Sequence, residues 1–547
     1  MSIDLLLVGP DAATELAWSA GKTVRGEHSV QGQGAALAAW LASTTAEALL
    51  LWDPRLGSPD PALVARLVAG RGDVWHGGLV LGTQGQPGMI DFVAPAWMFN
   101  ADPPVAIEAT SWRVAPAACL VRTEVFRQLG LPRPEFQTII GGWLEWGHRA
   151  IHRGALMRHV PSLVPAAQLD RTNWAAEHTA TLDDEARFIA YRYGRFWTRW
   201  ASTRAALTKY APAGELLRAW RQIPEKRPYD EPPPYRHGAS LGAPDLVAAR
   251  VTVLIPTLNR YPYLHVVLAN LRAQTVRPHE IIIIDQTAKE KRDPTIGELF
   301  ADLPLRLMFQ DEPGQCSSRN AGLAVSTGDF ILFIDDDDEL PPTLIEEHLR
   351  NLFRFAADVS SGVLHEVGTE GLAADRQFVR ASDVFPTSNT LVRREVLRKS
   401  GLFDLAFNRA PRADGELGMR VYLSGAFMVI DQSISVMHHR AAEGGLRVHG
   451  ARVITYRSSR ESLTQRHLPH VSEIYLVSRH FSPRQRREVL WMRAFETLSA
   501  RGGAARRLAK GAIAAMLFPD TIKETLARER TADEWLTRFP QIAELDS

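Results

Sequence analysis

Part of this chain is repeated within it, at an offset of 271 residues (391 less 120) and without gaps. Leu120-Val121-Arg122 returns as Leu391-Val392-Arg393. Further matched pairs at the same offset are Glu124/Glu395, Val125/Val396, Gly130-Leu131/Gly401-Leu402, Phe136/Phe407, Glu145/Glu416, Gly147/Gly418, Arg149/Arg420 and Gly154-Ala155/Gly425-Ala426. Chance rarely produces so many ungapped matches, so a duplication is the natural explanation, and a repeat constrains the architecture before any single motif does. We therefore predict two similarly folded domains.

Both copies alternate strand-like and helix-like segments, which is typical of doubly wound α/β sheets. A chain of 547 residues is also too long for one ordinary core. A proline-rich stretch around Pro232-Pro233-Pro234 separates the two copies. We predict an α/β fold in four parts, namely a degenerate copy at 1–175, a helical connector and linker at 176–249, a complete copy at 250–442 and a helical C-terminal region at 443–547.

An aromatic-rich helical segment at 182–221 belongs to the predicted connector. Its large rings follow a helical spacing, and we expect them to be buried between the two copies, because an exposed stripe of that size invites aggregation. The residues of this stripe are Phe188, Tyr191, Phe196, Trp197 and Trp200.

Composition narrows the function classes. The net charge of +1 gives no bulk electrostatic case for nucleic acid. The two cysteines, Cys119 and Cys316, fit a reducing cytoplasm without a disulfide framework. The N-terminus does not have the pattern of a signal peptide, and no apolar run approaches the ~20 residues of a membrane span. A cytoplasmic location is the expectation.

One basic and apolar segment near the C-terminus leaves peripheral membrane contact open. Arg501, Arg506, Arg507 and Lys510 precede the apolar run 511–518. An amphipathic helix on a membrane surface and a solvated helix face both explain this pattern, and the solvated face is favoured.

Four consecutive aspartates carry the strongest chemical signal. Phe330–Ile334 is a fully apolar run, typical of a strand buried on both faces, and Asp335–Asp338 follow it directly. Open α/β sheets bind ligands at the carboxyl edge of their strands. Clustered carboxylates repel each other unless a cation lies between them, and Mg²⁺ and similar ions prefer oxygen ligands. A solvated acidic turn before a helix is the alternative.

The two copies differ where this chemistry would lie. The counterpart of the aspartate cluster is Trp52-Asp53-Pro54, which offers a single carboxylate. At the repeat offset, Asp414 of the second copy matches Trp143 of the first. We therefore expect the first copy to be catalytically silent and to serve in packing or acceptor binding.

Several motifs of the second copy occur in a fixed order. They are Ile255-Pro256-Thr257-Leu258-Asn259-Arg260, Asp285-Gln286-Thr287, Arg319-Asn320-Ala321-Gly322, the aspartate cluster and Ala413-Asp414-Gly415-Glu416-Leu417. In this order they resemble the family-2 glycosyltransferases, enzymes of the GT-A fold, over roughly residues 250–440. The resemblance implies a GT-A domain in the second copy, a degenerate GT-A-like domain in the first, and a nucleotide-diphospho-sugar donor.

The resemblance also implies roles for individual residues. It implies that Asp335 and Asp337 are the ends of an Asp-x-Asp motif that binds Mn²⁺ or Mg²⁺, with Asp336 pointing away because side chains alternate along a strand. The implied donor-binding residues are Pro256, Thr257, Asn259, Arg260, Asp285, Arg319, Asn320, Asp335 and Asp336. Asp414 is the implied general base, which takes the proton of the acceptor hydroxyl.

The residues near the implied base and metal site match the family pattern less closely. The residue before the base is Ala413, where the family mostly has glutamate, and Glu416 is the candidate substitute. His438 and His439 follow a strand-like segment, and a histidine near this place completes the metal shell in some family members. A glycine-rich stretch that ends at Arg447 is compatible with a closing loop and equally with an ordinary connection.

We predict a metal-dependent, inverting glycosyltransferase that moves a sugar to a hydroxyl acceptor on a glycan, a lipid-linked molecule or a protein. A nucleotidyltransferase is one alternative, although a basic triphosphate loop is expected near its first strand and only Arg260 lies there. A non-catalytic scaffold that binds glycans or nucleotide sugars is the other. Convergence of Asp335, Asp337 and Asp414 on one cleft would discriminate among them.

Overall fold

The chain contains two α/β lobes, connector helices that lie between the lobes in sequence, and a helical C-terminal region. The computed structural model describes residues 2–13, 16, 18–85, 88–92, 101–165, 171–223, 230–238, 246, 248–369, 371–373, 376–441 and 456–546. Within these residues, no helix is long and apolar enough to cross a membrane. Cys119 and Cys316 are both buried free thiols.

The first lobe, residues 2–165, is built on a seven-stranded sheet within the described part of the chain. Its strands are β1 (Ile3–Leu7), β2 (Thr23–Arg25), β3 (Ala48–Trp52), β4 (Val74–His76), β5 (Ala109–Thr110), β6 (Ala118–Arg122) and β7 (Met157–His159). Its helices are α1 (Val30–Ser43), α2 (Pro61–Ala69), α3 (Thr123–Leu129) and α4 (Ile139–His152). The connector that follows forms α5 (Arg171–Glu177), α6 (Leu182–Arg192), α7 (Arg195–Leu207) and α8 (Ala213–Arg221).

The second lobe, residues 248–441, is built on a nine-stranded sheet as far as the structure describes it. Its strands are β8 (Val251–Thr257), β9 (Glu280–Asp285), β10 (Leu305–Phe309), β11 (Phe330–Phe333), β12 (Asp338–Glu339), β13 (Val359–Glu366), β14 (Val379–Ala381), β15 (Thr390–Arg393) and β16 (Met428–His438). Its helices are α9 (Tyr261–Arg272), α10 (Ile296–Leu299), α11 (Gln315–Val325), α12 (Leu344–Phe355), α13 (Arg394–Ser400) and α14 (Ala413–Leu423).

The C-terminal region is helical, as the sequence predicts. It forms α15 (Tyr456–Glu461), α16 (Val471–His480), α17 (Pro483–Glu496), α18 (Ala504–Met516) and α19 (Phe518–Arg538). Ile474 and Tyr475 of α16 join the apolar cluster on the α14 side of the second sheet, together with Leu417 and Ala532. The expected α/β fold with a helical C-terminal region is therefore confirmed.

The two sheets have the same strand order. The first runs β2-β1-β3-β6-β4-β7-β5, and the second contains β9-β8-β11-β15-β13-β16 with β14 paired to β16. Each pairing also keeps its direction: β1/β3 and β8/β11 are parallel, whereas β3/β6 and β11/β15 are antiparallel. The second sheet adds β10 at one edge and β12 after the aspartate cluster.

The strand register repeats as well. In the first sheet Val74 lies opposite Val121 and Met157, and in the second Val359 lies opposite Val392 and Met428. Val121 and Met157 become Val392 and Met428 at the same offset of 271 residues (392 less 121) that the sequence repeat shows. The register of a sheet determines which side chains face the core, so the two lobes direct equivalent residues to equivalent places.

A buried arginine holds the same loop in each lobe. Arg149 bonds to Glu145 and donates to the carbonyl oxygens of Leu129 and Leu131. In the second lobe Arg420 bonds to Glu416 and donates to the carbonyls of the matching residues Ser400 and Leu402. These contacts satisfy backbone oxygens at the ends of α3 and α13, which explains why the sequence repeat is densest here.

The lobes pack against each other in a reciprocal way. Gly154 of the first lobe lies against the carbonyl of Val379, the first residue of β14. Its repeat partner Gly425 lies against the carbonyl of Glu108, which precedes β5 and matches Val379. Arg158 also donates to the Gly425 carbonyl at 3.2 Å. Equivalent surfaces therefore face one another across an approximate two-fold relation, as in an isologous dimer.

The connector helices lie on the first lobe. Phe188 and Tyr191 are buried in the first-lobe core. Phe196, in contrast, is 70% exposed, and Trp200 is half-buried beside Phe495 of α17. The prediction that the whole stripe is buried between the lobes is therefore wrong, because α7 presents Phe196 to solvent.

Candidate active site

A cleft of about 390 Å³ opens at the carboxyl edge of the second sheet. Its lining includes Pro256, Thr257, Arg260, Gln286, Gly314, Arg319, Asp335, Asp336, Asp337, Asp414 and His438. These side chains come from the ends of β8, β9 and β11, from β16 and from the helices α11 and α14. The three carboxylates that discriminate among the candidate functions, Asp335, Asp337 and Asp414, thus line one cleft.

The aspartate cluster forms a turn, not an extension of the strand. Strand β11 ends at Phe333, so the alternation of side chains does not continue through Asp335–Asp337. Asp336 consequently does not point away: Thr257 Oγ1 donates to its carboxylate at 2.8 Å, and Arg260 lies 2.9 Å from it. This corrects the expectation drawn from strand period.

Two arginines and a histidine face the carboxylates. Arg319 lies 2.7 Å from Asp335, and Arg260 lies 3.2 Å from Asp337 as well as contacting Asp336. His438 Nδ1 lies 3.0 Å from Asp338. The cluster still contains more carboxylates than cations, which is an arrangement suited to an additional positive ion.

Burial shifts the titration of this cluster. It raises the pKa of Asp336 to about 6, although Arg260 opposes the shift. It raises the pKa of Asp338 to about 7, and the hydrogen bond that His438 Nδ1 donates to Asp338 raises the pKa of His438 above its ordinary value. Such perturbed acids in a cleft are typical of functional sites.

The residues fit a divalent cation. Asp337, Asp338 and His438 offer ligand atoms that all lie within 4.8 Å of one another. Asp337 Oδ1 is buried and accepts no hydrogen bond from the described residues, although Arg260 lies near it. Oxygen ligands with one imidazole suit Mg²⁺ or Mn²⁺. Asp338, which the sequence left outside the metal set, belongs to this group.

Asp414 stands on the other side of the cleft, at the start of α14. It is exposed, and its carboxylate accepts only the adjacent backbone N–H of Gly415 among the described residues. The residue before the helix, Arg412, has a left-handed backbone with φ of 83° and pairs with Glu473 of α16 at 2.9 Å. The C-terminal region therefore fixes the turn that presents Asp414.

Glu416 lies away from the cleft. It is fully buried, pairs with Arg420 at 2.8 Å and lies 3.0 Å from His480. The structure thus gives it the task of holding the α13–α14 loop, and it does not stand beside Asp414 in place of the missing glutamate.

Four other predicted residues do not line the cleft. Asn259 has a left-handed backbone, and its N–H donates to Thr287. Asp285 is buried and accepts from Tyr261. Asn320 pairs with the backbone of Phe403, and His439 pairs with the exposed Glu339. The stretch that ends at Arg447 lies outside the described residues.

Two residues missed by sequence reasoning hold the Gly314 segment that lines the cleft. Gln286 lines the cleft and accepts a hydrogen bond from the N–H of Gly314. Asn408 Oδ1 accepts from Cys316 N and Ser317 N at the start of α11. A Cβ on Gly314 would come within 2.2 Å of Asn408, so this close approach needs glycine. Asn408 lies 92 residues from Cys316 in sequence, a separation that no local pattern reveals.

The first lobe has a cleft of about 380 Å³ at the corresponding edge of its sheet. Its acidic group is Asp53, which follows β3 as Asp335 follows β11. Arg55 pairs with Asp53 at 2.8 Å and with Glu177 at 2.7 Å. Trp143 is buried and donates to Gln33, whose side chain lines this cleft. A guanidinium therefore occupies the acidic end of the first-lobe cleft.

Open α/β sheets bind ligands at the carboxyl edge of their strands, and clustered carboxylates there can hold a divalent cation. Residues 252–402 match the model of the glycosyl transferase family 2. This stretch of the second lobe is therefore similar to family-2 glycosyltransferases.

Known proteins resemble part of the chain. A glycosyltransferase of Bacillus subtilis, YwdF, described as uncharacterized, is 29% identical over 168 residues, covering 28% of this chain and 62% of YwdF. The putative glycosyltransferase EpsH of the same organism is 34% identical over 102 residues, covering 18% of this chain and 29% of EpsH. The chain thus spans less than two-thirds of the length of these relatives.

A solved structure is also similar. The mannosyltransferase PcManGT of Pyrobaculum calidifontis, in complex with GDP-Man and Mn²⁺, is 18% identical and has a TM-score of 0.35, covering 61% of this chain and 95% of that one. At this TM-score the likeness carries no argument about the present chain.

Proposed function

We propose that the second lobe transfers a sugar from a nucleotide-diphospho-sugar donor to a hydroxyl acceptor, with a divalent cation and with inversion at the anomeric carbon. One observation carries the proposal. Asp335, Asp337 and Asp414 line a single cleft within a domain that matches family 2.

The donor end of the cleft is the aspartate cluster. Asp337, Asp338 and His438 would hold the cation, with Asp335 beside them. A bound divalent ion would neutralise the charge that grows on the leaving nucleoside diphosphate. Arg260 and Arg319 pair with Asp336 and Asp335 and oppose the rise of their pKa on burial. Both arginine side chains also line the cleft where phosphates would lie.

The acceptor end is Asp414. Its exposed carboxylate can accept the proton of an attacking hydroxyl while the oxygen forms its bond to the anomeric carbon. A single displacement of this kind inverts the anomeric centre. The ion pair between Arg412 and Glu473 holds the turn before Asp414, so the C-terminal region supports the position of the base.

The first lobe, in this proposal, is a degenerate copy without catalysis. Its shared strand order and register support a common origin. Arg55 already neutralises Asp53, and Trp143 stands in place of the base. The lobe packs against the second lobe and offers a cleft in which polar groups such as Gln33 could bind part of an acceptor glycan.

The test is a screen of nucleotide-sugar donors for release of nucleoside diphosphate, with Mn²⁺, with Mg²⁺ and with excess chelator. We expect release from one class of donor, dependent on the cation and accelerated by an acceptor. Release of pyrophosphate in a parallel assay with a nucleoside triphosphate and a sugar 1-phosphate would instead identify a nucleotidyltransferase. Donor binding without turnover, unchanged in Asp414→Asn, would identify a scaffold. Full activity in excess chelator would overturn the metal assignment.

A further inference from the structure

The C-terminal helices present a face that is both apolar and basic. On α17 the side chains of Arg484, Arg487, Trp491 and Phe495 follow one another at helical spacing, and all four are exposed. Trp491 is 50% exposed and Phe495 is 42% exposed. Such spacing places them on one side of the helix. We call the solvent-facing side of residues 482–518 the C-terminal face.

Aromatic contacts join this stripe to neighbouring helices. Phe495 stacks on Trp491 at 6.0 Å and on Phe518 of α19 at 5.9 Å, and Trp200 of α7 meets its ring edge to face at 6.3 Å. The apolar surface therefore continues across three helices and is larger than a single exposed ring, which marks an interaction surface more often than chance exposure does.

Helix α18 adds the most exposed part of the face. Leu508 is 75% exposed and Met516 is 80% exposed, beside the exposed Arg506 and Arg507. Lys510 points inward instead and donates to the carbonyl of Gln465. The helix thus rests on the protein along one edge and exposes a mixed apolar and basic surface.

Within residues 482–518 the exposed charges of the C-terminal face have one sign, and Arg501 lies 3.4 Å from the exposed Glu461 outside this range. Between Ser482 and Leu517 the exposed charged side chains are Arg484, Arg487, Arg501, Arg506 and Arg507. The two acidic residues in this range are turned inward: Glu488 pairs with Arg204, and Glu496 pairs with Arg493. The whole chain has a net charge of only +1, so this concentration of cations is local.

We propose that the C-terminal face docks on the surface of an anionic lipid bilayer. Arginines near a membrane are attracted by the negative potential of its headgroups, and tryptophan, phenylalanine and leucine side chains insert at the boundary with the acyl chains. Charge complementarity selects this partner over a second copy of the chain, because two such faces would bring like charges together. The proposal does not depend on the donor or on sugar transfer.

The experiment is cosedimentation of the full chain with vesicles. Vesicles of phosphatidylcholine with roughly a third phosphatidylglycerol are compared with pure phosphatidylcholine, each at low and high salt. We expect binding to the anionic vesicles that weakens with salt. Arg487→Glu/Arg507→Glu should lower the partition coefficient by about tenfold or more. Leu508→Ser/Met516→Ser should weaken binding even at low salt, because it removes the inserted side chains.

Matched controls carry the same changes on the second lobe. Arg277→Glu/Lys399→Glu changes two exposed cations there, and Leu299→Ser/Leu364→Ser changes two exposed apolar side chains, 54% and 41% exposed. All variants should keep the donor hydrolysis rate and the melting temperature of the wild type. Failure of the wild type to bind anionic vesicles would overturn the proposal, as would equal losses in the control variants. The proposal would also be overturned if the chain did not bind vesicles but associated with itself or bound nucleic acid, and if the C-terminal-face substitutions abolished that binding.

Discussion

Strand β11 of the second lobe runs into four aspartates, whereas the equivalent strand β3 of the first lobe runs into Asp53 and Pro54. In their interiors the lobes are alike. Both keep the same strand register, and in both an arginine, Arg149 or Arg420, holds a loop by donating to its backbone carbonyls. The divergence is concentrated where ligands bind, and the interior that makes the edge possible is retained.

The first lobe satisfies its single buried aspartate in a different way. Asp53 is buried like the carboxylates of the second lobe, but Arg55 pairs with it and with the exposed Glu177 at the surface. Hydrogen bonds from Arg55 to Glu177 and Asp53 hold the pKa of this guanidinium above its usual value. In the first lobe the guanidinium of Arg55 thus neutralises the carboxylate of Asp53, whereas the larger aspartate cluster of the second lobe would need a bound cation.

The largest expected effect tests whether the aspartate cluster makes the two lobes differ in function. Asp337→Asn should lower cation-dependent donor hydrolysis by about a thousandfold or more, because a buried ligand for the cation becomes neutral. The check is nucleoside-diphosphate release over a Mn²⁺ titration. The matched change Asp53→Asn in the first lobe should leave the Mn²⁺ dependence of donor hydrolysis as it is. A similar loss in both variants would show that the two clefts are not distinct in function.

The second effect concerns the base position. Asp414→Asn should fold and bind donor normally but transfer sugar roughly 10²–10⁴-fold more slowly, since the carboxylate no longer takes the acceptor proton. The turnover number at saturating acceptor measures this. Trp143→Phe, at the matched position of the first lobe, should keep the wild-type turnover number. If Asp414→Asn turned over at the wild-type rate, another group would have to accept the proton.

The third effect tests the shared interior. Burial would raise the pKa of Glu416, but Arg420 and His480 outweigh it and lower that pKa to about 2. A carboxylate whose pKa falls on folding stabilises the folded state above its ordinary pKa of 4.5, and this stability is lost as the pH falls from 4.5 towards 2. Glu416→Gln should therefore cost about 3–5 kcal/mol near neutral pH.

Denaturant unfolding at several pH values checks this prediction. The difference between wild type and Glu416→Gln should shrink by about 3 kcal/mol between neutral pH and pH 2. Glu145→Gln in the first lobe should cost a comparable amount at neutral pH, because Glu145 holds Arg149 in the same clamp. A large loss in one lobe and none in the other would contradict the common interior.

The smallest expected effect is a difference in stability between alanine substitutions at two matched glycines. A Cβ on Gly147 would lie 2.2 Å from the carbonyl oxygen of Trp112, whereas a Cβ on Gly418 would lie 3.0 Å from that of Asp383. We expect Gly147→Ala to destabilise by about 1–3 kcal/mol through overpacking. Gly418→Ala should cost less, since the better helix propensity of alanine, worth about 1 kcal/mol, offsets a milder clash. Thermal unfolding of both variants measures the difference, and the reverse order would show that the closer contact relaxes.

The sequence by itself predicted the α/β fold and the helical C-terminal region, which the structure shows. It also singled out Asp335, Asp337 and Asp414, which line one cleft, and their chemical roles stay a prediction. These are readable because a strand has period two, a helix has its own period, and a repeat preserves residues that hold the same buried contacts. The expectation about Phe196 failed because helical spacing shows which side chains share a face but not which face is covered.

Only the tertiary structure decided how the side chains meet. The strand ends at Phe333, so Asp336 turns into the cleft; Asp338 joins His438 from a strand 100 residues away; and Asn408 caps α11. Glu416, beside Asp414 in sequence, faces Arg420 and His480 instead. The physical reason is common to all four. Backbone turns and long-range packing determine the direction of a side chain, and neither leaves a local pattern in the sequence.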